Sequence, residues 1–134
     1  MLLNGDSRTA AQVAVLLNSF NNLPEPYSGA RVENSPSLYL TAIAKDIVFG
    51  CVAVEQFNHA VTQIKHLCVL PAVRHNGAGT KLVQWALKYV KTPFVLASIR
   101  NENLASRATF RKMGFIEITG KNLTLAVRQN EQLR

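Results

Sequence analysis

The stretch Val69-Leu70-Pro71-Ala72-Val73-Arg74-His75-Asn76-Gly77-Ala78-Gly79-Thr80-Lys81-Leu82 constrains this chain more than any other part of it. An apolar run ends at Leu70, Pro71 breaks the pattern, and two glycines sit one residue apart. An amphipathic helix then begins at once, with Lys81, Gln84, Lys88 and Lys91 on one stripe and Leu82, Val83, Ala86 and Val90 on the other. The first turn of a helix leaves backbone N–H groups unpaired and carries partial positive charge, so it attracts phosphate. Glycine at 77 and 79 lets the main chain approach an anion with no Cβ in the way. Charge agrees: residues 56–101 hold no Asp or Glu but do hold Lys65, Arg74, Lys81, Lys88, Lys91 and Arg100, within a net charge of +7. The spacing is neither a dinucleotide fingerprint, which needs a further glycine, nor a P-loop, which needs Gly-Lys-Ser/Thr. A tight strand–helix turn without a ligand uses glycines the same way, so the turn alone does not name a function.

The rest of the chain places this turn in a fold. At 134 residues with 48% hydrophobic and 17% charged side chains, one domain (residues 1–134) with a real core is expected. A short first strand is read at residues 1–3. Thr9-Ala10-Ala11-Gln12 reads as a capping box ahead of helical spacing at Val13, Leu16, Leu17 and Phe20. Residues 21–37, with Pro24, Pro26 and Pro36, read as an irregular crossing segment with at most one helical turn. Strands are expected at 38–44 and 47–57 around the hairpin turn Lys45-Asp46, and then at 61–70. A helix follows over 80–91, a short strand over 94–99 and a helix over 101–113 ended by Gly114. The last hairpin pairs 115–119 with 122–127, and a polar tail is placed from residue 128. The order β-α-β-β-β-α-β-α-β-β predicts an α/β (α+β) fold, a mixed and mostly antiparallel sheet with helices on both faces.

Several classes are set aside on composition. No apolar run approaches the roughly 18–20 residues that span a bilayer, so no membrane partner is expected. The start has no basic region followed by a long apolar stretch, so no leader is expected. Cys51 and Cys68 are the only cysteines and lie in apolar runs, which points to buried packing, no metal site and a reducing, cytoplasmic setting. The positive charge raises nucleic acid as a partner, but there is no helix-turn-helix, aromatic sheet face or long basic arm, so none is expected.

Two spaced motifs carry a family resemblance. Arg74-x-x-Gly77-x-Gly79 resembles the Q/R-x-x-G-x-G/A motif of GNAT-superfamily N-acetyltransferases, after a strand with the family's Val-x-Pro ending. Asn103-x-x-Ser106-x-x-x-Phe110-x-x-x-Gly114-Phe115 is similar to that family's N-x-x-A-x-x-x-Y-x-x-x-G-F. The resemblance covers about residues 38–119. It implies acetyl-CoA as co-substrate and direct transfer of an acetyl group to a primary amine in a ternary complex, the acceptor being a small molecule or a peptidyl amine. It places the pantetheine arm against the strand edge of Leu67, Cys68 and Val69, the pyrophosphate on main-chain amides of His75, Asn76, Gly77, Ala78, Gly79 and Thr80, and a hydrogen bond at Asn103. Arg74 then braces the loop or meets phosphate, and Arg111 or Lys112 lies near the 3′-phosphate.

The catalytic groups are less legible. Phe110 stands where the family commonly carries the Tyr that protonates the leaving thiolate, so its ring can pack against the pantetheine but cannot donate. Gln63 and Ser98 stand where other members carry Glu, and Glu55 is the remaining carboxylate candidate for a base. Alternation along the strand places His66 on the opposite face from Gln63 and Lys65, as a packed core histidine; His59 and His75 read as loop residues. Tyr27, Arg31, Glu33 and Tyr39 are candidates for the acceptor site. A catalytically weak acetyl-CoA-binding regulator acting through a protein partner is the alternative, and the apolar rhythm of the last hairpin leaves a homodimer open.

Overall fold

The computed structural model describes residues 7–21, 25–74 and 76–130. In chain order the elements are α1 (Ser7–Phe20), α2 (Gly29–Glu33), β1 (Leu38–Ala44), β2 (Ile47–Gln56), β3 (Val61–Val69), a 3-10 turn (Pro71–Val73), α3 (Ala78–Leu87), β4 (Phe94–Arg100), α4 (Leu104–Lys112), β5 (Ile116–Thr119) and β6 (Leu123–Gln129). The strand read at residues 1–3 lies outside the described residues. From β1 onward the order is the expected one.

The six strands form one sheet in the order β1-β2-β3-β4-β6-β5. Every neighbouring pair is antiparallel except β3 and β4, which the α3 crossover joins in parallel. Two cores cover its two faces. Leu40, Val52, Val54, Ile64, Val95, Ala97 and Ile99 pack with Leu82, Val83 and Ala86 of α3 and Phe110 of α4. Tyr39, Cys51, Ala53 and Cys68 pack with Val13, Leu16 and Leu17 of α1 and Val32 of α2. The hairpin turn Lys45-Asp46 has positive φ at both residues, 50° and 65°, the twist that suits a two-residue connection.

The structure corrects three sequence readings here. Helix α1 starts at Ser7, so Thr9 lies within its first turn and is buried rather than capping it. Gln12 instead reaches across to the β1–β2 hairpin, donating Nε2 to the Asp46 carbonyl at 3.1 Å and accepting the Val48 amide at 2.9 Å. Strand β6 runs on to Gln129, with Asn130 buried and donating to the carbonyls of Val90 and Thr92. A polar tail therefore cannot begin at 128. The third correction, at His66, shapes the site and is described there.

Candidate active site

Two features of the sheet open it at one place. Strand β3 pairs with β4 over only three residues, Val61–Gln63 against Phe94–Leu96, and the two strands part beyond that point. In the same stretch the register between β2 and β3 shifts between Cys51 and Ala53, a bulge in β3 whose odd residue is His66, at φ +56°. A bulge adds one residue to a strand and so resets alternation. Ile64 packs in the α3 core and Lys65 meets Glu55 on the opposite face, yet His66 also turns to the α1–α2 face, against Tyr27 and Tyr39. Alternation had placed it on the other face from Lys65; the left-handed backbone conformation overrides that pattern.

Beyond the bulge, the Leu70 amide donates to the Phe49 carbonyl at 2.8 Å while Gly50 stands opposite Val69. In an antiparallel ladder alternate residues point their amides to alternate sides, so the Val69 amide faces the opening and that of Cys68 faces β2. Of the three edge residues expected to pair with a ligand, Cys68 therefore borders the opening without offering its main chain. The Arg74 Nε donates to the Val69 carbonyl at 2.9 Å, so this arginine braces the loop.

The turn then delivers the helix. Gly77 is the N-cap of α3 at φ +79°, a conformation that glycine adopts without strain, and a Cβ built on it would meet nothing within 4 Å. No side chain caps the helix and no acidic residue sits in its first turn. Lys81 is the first amide to find an intrahelical acceptor, the Gly77 carbonyl at 3.0 Å. The amides of Ala78, Gly79 and Thr80 are left as N-terminal donors. At Gly79 a Cβ would lie 3.6 Å from Thr109 Oγ1, so α3 and α4 approach closely there.

A cleft of about 490 Å³ joins these parts. Its walls include Leu67, Cys68 and Val69 of β3, Arg74, residues 77–80, and Asn103, Thr109 and Lys112 of α4. Asn76 lies outside it, in a separate apolar groove beside Trp85, and His75 lies outside the described residues. Arg111 is drawn away instead, its guanidinium 2.9 Å from Glu117. Sequence reasoning missed Arg100 and Glu102, which also border the cleft. Asn103 caps α4, its Oδ1 accepting the Ser106 amide at 3.2 Å, which leaves Nδ2 to meet a ligand.

A second cleft of about 580 Å³ adjoins the first, the two sharing Asn21, Leu67, Arg100, Asn103 and Ser106. It lies where β3 and β4 part, and Gln63, Ser98 and the ring of Phe110 border it. That ring is buried, edge-on to Phe115 at 5.0 Å. Tyr27 and Arg31 border the cleft as expected, whereas Tyr39 is buried beneath it and Glu33 lies elsewhere. Asn18 fixes Tyr27, accepting its amide at 2.7 Å and donating to its carbonyl at 2.8 Å. Helix α2 sits tight on α1, since a Cβ on Gly29 would come within 3.1 Å of the Ala11 Cα.

The titratable groups around this cleft have settled charge states. Tyr39 O–H lies 2.9 Å from His66 Nδ1, and Tyr27 Oη 3.5 Å from its Nε2. Burial, then the nearby Lys65 and Arg31 charges, pull His66 down to about 4, so its ring is neutral at neutral pH. Burial pushes the Tyr39 phenol upward, so it keeps its proton and its hydroxyl is hydrogen-bonded with Nδ1 as a neutral pair. Glu55 does not reach either cleft. Lys65 Nζ at 2.7 Å and Ser37 Oγ at 2.9 Å both donate to Oε1, and these bonds hold its carboxyl below the usual range. Glu55 is therefore a poor proton acceptor. Burial raises Cys68 to about 11 and pushes Cys51 well up, so neither thiol is a ready thiolate.

Comparison with known proteins agrees with this geometry. The chain resembles YncA of Salmonella typhimurium, solved with its cofactor acetyl-CoA, at TM-score 0.79 and 16% identity over 98% of this chain and 94% of that one. It resembles a ribosomal-protein-alanine N-acetyltransferase from Brucella melitensis at TM-score 0.75 and 16% identity, covering 96% and 99% of the two chains. An aminoglycoside 6′-N-acetyltransferase complexed with coenzyme A matches at TM-score 0.77 and 15% identity, covering 97% of each. Among curated protein sequences none matches. The profile of the Acetyltransferase (GNAT) family matches residues 10–115 and so takes in both glycines of the α3 turn, the parting strands and the whole of α4. With that match over most of its length, the chain belongs to the GNAT acetyltransferase family.

Proposed function

We propose that the protein transfers an acetyl group from acetyl-CoA to a primary amine. The observation that carries this reading is the junction where β3 and β4 part onto the uncapped N-terminus of α3. The residues present suit the co-substrate. Amides of Ala78, Gly79 and Thr80 would hold the diphosphate with Gly77 leaving room, and Lys112 on the same cleft adds positive charge. The Val69 amide and the Asn103 side chain would hold the pantetheine arm, by the pairing that adds a strand to an open edge. Acetyl-CoA supplies the activated thioester.

The amine would come from the second cleft and attack directly, with no acyl-enzyme. Phe110 packs but donates nothing; the hydroxyls bordering that cleft are those of Tyr27, Ser98 and Ser106, so proton delivery to the leaving thiolate falls to one of these or to water. With Glu55 tied to Lys65 and the His66 Nδ1 engaged by the Tyr39 hydroxyl, amine deprotonation falls to water, which suits an acceptor that is partly neutral at working pH. Calorimetry with acetyl-CoA should give micromolar affinity, strongly weakened by Gly79→Trp, whose indole would fill the space beside Thr109. No binding at millimolar ligand overturns the reading. The tied carboxylate also favours a second reading, a weakly catalytic acetyl-CoA-binding regulator; rapid turnover of any amine in a broad screen excludes it.

A further inference from the structure

The charge on the walls of the second cleft selects among amines. Among the described residues three cations border it, Arg31, Lys65 and Arg100, against a single carboxylate, Glu25. Lys65 is neutralised by Glu55 at 2.7 Å. Arg31 is not, because its contact with Glu25 is 3.8 Å long and both side chains are open to solvent, 50% and 81% exposed. Its guanidinium lies instead over the Tyr27 ring, 3.9 Å from the centroid. Two hydrogen bonds from Asn18 fix the Tyr27 main chain, and its ring stands edge-on to His66 at 5.2 Å, so the aromatic face beneath the guanidinium is set by the fold. Arg100, at the end of β4 and at the junction of the two clefts, has no carboxylate within ion-pair distance among the described residues.

From this arrangement we infer that the acceptor is a small amine that also carries a carboxylate, bound in the second cleft by the Arg31 guanidinium. The inference rests on the acetyltransferase reading and adds the acceptor's chemistry to it. A planar guanidinium held on an aromatic face is preorganised for a planar carboxylate, and a charge-assisted pair of this kind discriminates strongly against an uncharged isostere. The same walls disfavour polycationic amines, because cations outnumber carboxylates around this cleft among the described residues. Arg31 borders only this cleft, whereas Arg100 borders both, so Arg31 is the residue whose loss separates acceptor binding from co-substrate binding.

The test uses matched pairs of primary amines, each offered as carboxylate and as amide: glycine and glycinamide, β-alanine and its amide, glycylglycine and its amide. The dipeptide pair matters most, because the reacting amine is nearly the same in both members. Thiol release from acetyl-CoA gives kcat/KM for each. The carboxylates should be favoured by about 10- to 100-fold, the preference should fall toward unity in Arg31→Gln, and Arg31→Lys should restore part of it. Acetyl-CoA affinity of Arg31→Gln, measured by calorimetry, should stay within about two-fold of the wild type, as expected for a residue outside the co-substrate cleft. Equal rates within the pairs, faster turnover of the amides or of spermidine, or no turnover of either member while acetyl-CoA binds, overturns the inference alone. Failure of the wild type to bind acetyl-CoA overturns the acetyltransferase reading first.

Discussion

His66 gives the sharpest test of how the site is built. Its ordinary value is 6.5 and the fold holds it at about 4, chiefly by burial. In the unfolded chain the ring gains a proton as pH falls below 6.5; in the folded protein it resists until about 4. The native state therefore has its full relative stability above pH 6.5 and loses it progressively down to about pH 4. At pH 4.5 most of that span has been crossed. With allowance for the part of the ring still near solvent, the loss should be about 2 kcal/mol. Urea denaturation at pH 7.5 and pH 4.5 would measure it in the wild type and in His66→Asn. Asparagine tolerates the left-handed conformation at this position better than other non-glycine residues, so the bulge should survive. Glu55 and Glu117 are held low and also lose native contacts on acidification, but both proteins share that change. The difference between the two pH values should thus be about 2 kcal/mol smaller in the variant. Equal losses in both proteins would refute the account of a neutral histidine held between two tyrosines in a buried bulge.

Two further outcomes follow from the packing. Gly29→Val should destabilise the protein by about 1–3 kcal/mol, because a Cβ there would sit 3.1 Å from the Ala11 main chain and push α2 from α1; urea midpoints measure this, and an unchanged midpoint would contradict the close approach. Cys51 and Cys68, buried and with raised pKa values, should react with Ellman's reagent at pH 8 far more slowly in the native protein than in denaturant; rapid native labelling would contradict their burial.

Much of this protein can be read along the chain wherever the signal is local. The glycine pair needs only its own turn to declare an open helix N-terminus, and Gly114 ends α4 at φ +86° as its position predicts. The α3 stripes, the Lys45-Asp46 turn and the spacing of the two motifs are legible for the same reason: periodicity and backbone preference act over a few residues. The first cleft is made largely of such elements, and Leu67, Cys68, Val69, Arg74, residues 77–80 and Asn103, singled out along the chain, all border it.

The second cleft was legible only in part, in Tyr27 and Arg31, because its residues meet only through the fold. Tyr27, Arg31, His66 and Arg100 come from a loop, a short helix, a strand bulge and a strand end, and no spacing relates them. The left-handed conformation of His66 in β3 turned its ring to the face that alternation denied it, and Glu55, ten residues before Lys65, meets it only because the register sets the two side by side. Local chemistry thus set where an anion can sit against the backbone. Only tertiary packing decided how closely each charge around the second cleft is neutralised, because neutralisation depends on distance in space and not on separation in sequence.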